Sequence, residues 1–112
     1  MTNTVLSLLP TAIAGQSISK DELVLPLEAA LKAIEFFEAN NVKVHGWEGW
    51  LKMPDGRVGH GTAPQGTGSL EACSTAEAAD VCRTTILEAD KSWKKEHADA
   101  AGTLHFCLSV DV

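Results

Sequence analysis

The sequence predicts a single small α+β domain spanning residues 1–112, with a mainly antiparallel sheet, a central β-hairpin and two amphipathic helices packed on one face. Three observations carry that prediction. Apolar residues recur at helical spacing over 27–37 and 79–93, they alternate strictly over 104–110, and a Pro-Asp-Gly turn at 54–56 separates two strand-like runs. At 112 residues with 45% hydrophobic content, the chain is long enough to bury one core and short for two domains.

Residues 1–18 carry the weakest pattern: TVLSLL fits an edge strand or a helical turn equally. Ala12-Ile13-Ala14 follows an apolar run, as a signal-peptide cleavage site would. No Lys or Arg precedes that run, however, and Pro10 interrupts it, so the expected location is cytoplasmic. No apolar run approaches the length of a membrane span.

From Ser19 the chain reads SKDELVLPLEAALKAIEFFEANN. Ser19 and Glu22 have capping-box spacing, and Pro26 suits a first helical turn, so the first main helix is expected to begin near Pro26. Leu27, Ala30, Leu31, Ile34 and Phe37 form its apolar stripe, and Asn40 and Asn41 can take the left-handed conformation that ends a helix.

The next stretch, HGWEGWLKMPDGRVGHG, holds two of the chain's three tryptophans. If Met53 faces Arg57 across the turn, Lys52 pairs with Val58, Leu51 with Gly59, Trp50 with His60 and Gly49 with Gly61. The two-residue period then puts Trp47, Leu51 and Met53, with Gly49, Gly59 and Gly61, on one face. Val44, Glu48, Trp50, Lys52, Val58 and His60 fall on the other. The first is the natural core face, since its glycines leave a trough for a ring or a helix, and the second is expected to meet solvent.

Beyond the glycine-rich connection GHGTAPQGTGS, Ser74 and Glu77 form a second capping box. Acids lead this helix, Lys91, Lys94 and Lys95 close it, and Ala79, Cys82, Ile86, Ala89 and Trp93 make its stripe. The C-terminal TLHFCLSVDV reads as a strand with Leu104, Phe106, Leu108 and Val110 on its buried face. It is also a candidate edge strand, through which a homodimer would pair.

Fifteen acidic against nine basic residues give a net charge of −6, which disfavours nucleic acid and anionic membrane and favours a basic protein partner. Cys73, Cys82 and Cys107 are odd in number and form no C-x-x-C, which fits reduced thiols rather than a disulfide framework. Cys73, nearest a loop, is the thiol expected to react. His105 and Cys107 share a strand face and could join His45 or His60 around zinc, yet no ligand pair has a diagnostic spacing, so no metal is expected. A Cys107 nucleophile would need His60 on a neighbouring strand.

The glycine-rich connection has no P-loop or dinucleotide signature and no basic residue, so no cofactor is expected. Without a catalytic motif, the expectation leans away from an enzyme. The face carrying Glu48, Trp50, Lys52 and His60 combines an aromatic anchor with a polar rim, the composition of a protein-binding hot spot. In size and charge the chain has the general character of small acidic inhibitors such as bacterial immunity proteins. The alternative is a small-molecule binder or minor enzyme with a pocket lined by Trp47 or Trp50, Glu48, His60 and His105.

Overall fold

The alternating C-terminal segment forms β4 (Thr103–Val110), and the sheet is assembled around it. In the computed structural model, which describes residues 9–19, 22–59, 63–64, 66, 70–97 and 102–110, β4 pairs antiparallel with β1 (Leu23–Pro26) and with β2 (Val44–Lys52). The two-residue β3 (Val58–Gly59) completes the order β1-β4-β2-β3. Residues 105–108 of β4 are therefore bonded on both sides. This corrects the expectation that the C-terminal segment is an edge strand, because that backbone is already committed to β1 and β2.

The chain reaches β1 through a short helix, α1 (Thr11–Ala14), and a turn in which Ser17 Oγ accepts the Val24 amide. Ser19 does accept the Glu22 amide at 3.2 Å, but the next element is β1 and not a helix. Pro26 then caps α2 (Leu27–Ala39), which begins where expected. Its buried side chains are Ala29, Ala30, Ala33, Ile34 and Phe37. Asn41, with φ of 56°, supplies the left-handed residue after the helix.

The turn after β2 has the expected register. Met53 donates to the Arg57 carbonyl at 2.7 Å, Gly56 has φ of 92°, and Lys52 pairs with Val58 and Leu51 with Gly59. The hairpin sits at the sheet edge, and its continuation through residues 60–62 lies outside the described residues. Pro64 takes over the edge, its carbonyl accepting the Gly49 amide at 3.0 Å. A Cβ on Gly49 would strike that carbonyl, and one on Gly66 would strike the Trp47 carbonyl. The trough is thus filled at Gly49 by Ala63 and Pro64.

Both helices pack on the face of the sheet that carries Leu23, Leu25, Trp47, Leu104, Phe106 and Leu108. Trp47 is 6% exposed. Its ring meets Phe106 edge-on at 5.4 Å, and its indole N–H donates to Thr85 Oγ1 at 2.9 Å on α3 (Thr75–Glu96). One residue departs from the expected faces. A bulge between Val44 and Gly46 shifts the register, so that Val44 pairs with Val110 and joins the core.

The Ser74–Glu77 capping box is complete in both directions, and Ala78, Ala79, Cys82, Ile86 and Trp93 are buried along α3. Arg83 bridges α3 to Glu38 of α2 at 2.9 Å, a half-exposed pair worth at most about 1 kcal/mol.

Trp47→Ala is expected to cost about 3–5 kcal/mol in chemical denaturation, as a core truncation that also removes the hydrogen bond Thr85 accepts. Hydrogen bonding to Ser74 holds the Glu77 carboxyl below its usual range. Its contribution is therefore present above the unfolded pKa and lost as pH falls through the folded one. The stability gap between wild type and Glu77→Gln should close on acidification, read from parallel melts across the carboxylate range.

Candidate functional site

Alternation along β2 sends Glu48, Trp50 and Lys52 to the side of the sheet away from the helices. Each stands opposite a β4 residue of the same face: Glu48 opposite Cys107, Trp50 opposite His105 and Lys52 opposite Thr103. The structure thus brings three of the four expected site residues together, while His60 lies outside the described residues.

This face is graded rather than uniformly exposed. His105 and Cys107 are 6% and 4% exposed, and Val24 beside them is fully buried. Glu48 and Trp50 are half-buried, with the indole nitrogen of Trp50 itself buried, and Lys52 and Val58 are exposed. The expectation of an open, solvent-facing Trp50 is corrected accordingly: pairing with β4 along the whole of β2 puts His105 directly across from the ring.

Burial lowers the His105 pKa, the Thr103 carbonyl at 3.1 Å opposes that shift, and the charge of Lys52 adds to it. The imidazole is therefore neutral at pH 7 and keeps one ring nitrogen for further bonding. The Cys107 thiol is pushed up to about 12 by burial and then by the charges of Glu22 and Glu48. β2 separates β3 from β4 in the sheet, and His60, the base a Cys107 nucleophile would need, lies outside the described residues.

A cleft of about 490 Å³ opens at the start of β4, where Pro26, Leu27 and Glu28 meet Asp90, Trp93, Lys94 and Thr103. Asp90 is 7% exposed, and Lys94 pairs with it at 3.0 Å. Sequence reading passed over Asp90 because the α3 stripe was defined by apolar residues alone. The signal was its position, four residues after Ile86 and three before Trp93, which puts a carboxylate on the buried side.

Fold and site together define a small α+β sheet protein whose helix-free face mixes an aromatic, a histidine, a thiol and opposed charges. No protein-family model, no curated protein and no solved structure matches the chain.

The thiols separate by access. Cys82, raised to about 11 by burial, and Cys107 should resist a bulky disulfide reagent at pH 8 until the protein unfolds, whereas half-buried Cys73 should be modified first. Mass spectrometry of the native and denatured protein reads this out.

Proposed function

We propose that the chain is an acidic protein-binding module that receives a basic partner, such as the target of an inhibitor or immunity-type protein, on the hairpin face of β2. The observation that carries the reading is the division of labour between the two tryptophans of that strand. Trp47 is fixed in the core, whereas Trp50, on the other face, is only half-buried, beside half-buried Glu48 and exposed Lys52. An aromatic anchor within a polar rim is what a hot spot requires, and the net charge of −6 favours and steers a basic partner.

The test is capture from the source cell's lysate at low and high salt, with Trp50→Ala and Glu48→Lys as controls. The expected result is one basic protein retained by wild type and released by salt. Each variant should weaken it by at least about thirtyfold, the level of a 2 kcal/mol hot spot. Trp50→Ala should also cost less stability than Trp47→Ala. Retention that ignores both substitutions would contradict the reading.

A second reading, a small-molecule binder, draws support from the cleft beside Asp90, whose volume falls in the range of ligand pockets. Its lining differs from the expected one: Trp93 and Asp90 stand there, and Trp47, Trp50, Glu48 and His105 do not.

A further inference from the structure

The helix-free face gathers a set of donors of which the partner reading uses only Glu48. Val24 pairs with Cys107 on one side of β4, and Glu48 pairs with it on the other. Glu22 precedes Val24 by two residues and so shares its face. A carboxylate oxygen of Glu22, one of Glu48 and Cys107 Sγ all lie within 4.8 Å of one another.

We propose that Glu22, Glu48 and Cys107 bind one divalent cation of the zinc class, which ties β1, β4 and β2 together on the face opposite the helices.

Three features carry the proposal. Cys107 is 4% exposed and its thiol makes no hydrogen bond among the described residues, so a buried polar atom is aimed into the cluster without a partner. Neither carboxylate is paired with a Lys or Arg among the described residues; Arg57, Arg83 and Lys94 are engaged with Asp55, Glu38, Asp80 and Asp90 instead. The two carboxylates thus flank a buried thiol with no cationic side chain between them among the described residues, and a divalent ion would bridge all three. The third feature is the mixed donor set itself, two carboxylates and a thiol, which fills three positions of a tetrahedral ion and leaves the fourth to solvent beside exposed Glu22.

Donor chemistry selects the ion. Calcium and magnesium prefer oxygen shells of six or more, whereas zinc-class ions accept sulfur, nitrogen and oxygen together at four-coordinate sites. Bonds of about 2.0–2.3 Å put tetrahedral donors roughly 3.3–3.7 Å apart, so the cluster must contract by about an ångström. Glu22 is exposed, and its side chain has the freedom to make that movement. On binding, the S–H bond of Cys107 breaks, a sulfur–metal bond forms and the proton passes to buffer, with no change in oxidation state.

The site differs from the zinc set that the sequence offered, His105 and Cys107 with His45 or His60, because the two carboxylates come from neighbouring strands whose order no local spacing reveals. It shares Glu48 with the proposed partner surface, but Glu22 and Cys107 lie outside that surface and the test uses the isolated full chain, so the two readings fail separately.

That test is a titration of metal-free protein with Co²⁺, a spectroscopic substitute for zinc. A thiolate-to-cobalt charge-transfer band should appear with tetrahedral visible bands, saturate at one equivalent and be bleached by Zn²⁺. Cys107→Ser should abolish the charge-transfer band, Glu22→Gln should weaken binding at least tenfold, and Cys73→Ser should change neither. If Cys107→Ser does not fold by circular dichroism, Glu22→Gln at its exposed position decides the matter. Absence of the band, its loss in Cys73→Ser, its persistence in Cys107→Ser, or unchanged affinity in Glu22→Gln would each overturn the proposal.

Discussion

The structure depends on the parity of β2. Side chains alternate with a period of two, so pairing with β4 decides at one stroke that Trp47 enters the core and Trp50 does not. Trp47 holds that parity in place from three directions: its ring against Phe106, its N–H on Thr85 of α3, and the close backbone approaches of Pro64 at Gly49 and of Gly66 at its own carbonyl. A slip by one residue would bury Glu48 and Lys52 under the helices, expel Trp47 and collide Pro64 with a side chain. None of these losses is small where total stability is of order 10 kcal/mol.

The same parity produces the chemistry of the other face. Once Trp47 points inward, Glu48, Trp50 and Lys52 must project together, and the central position of β4 sets Cys107 and His105 among them. The burial that keeps His105 neutral and Cys107 protonated is a product of this sheet order, since β1 and β2 flank β4 on either side. A face built in this way is polar in composition yet poorly hydrated at its centre, a condition under which charges and donors interact strongly.

Much of this was legible in the sequence wherever a signal was local. The Ser74 capping box, the Pro-Asp-Gly turn and the alternation over 104–110 each encode their geometry within a few residues, and each reappears in the structure. What local pattern could not carry was decided by contacts distant in the chain. LVLP is too short to display a period, and it becomes a strand because β4 offers it an edge. Val44 belongs to the core through a bulge whose partner is Val110, and Glu22 meets Glu48 only because β4 lies between their strands. Asp90 is a different case: its helical position is readable, but an apolar stripe gives no place to a carboxylate, which is seldom buried unless paired.

The most direct test of this account is the cross-strand proton contacts of β2 in a two-dimensional NOE spectrum of the folded protein. Contacts of the Trp47 ring with Phe106 and of the Trp50 side chain with His105 are the expected result, since both follow from the single register Glu48↔Cys107. Contacts of Trp50 with Phe106, and of Trp47 with His105 or Cys107, would mean that the strand is shifted by one residue. The assignment of a core tryptophan and a surface tryptophan would then be reversed.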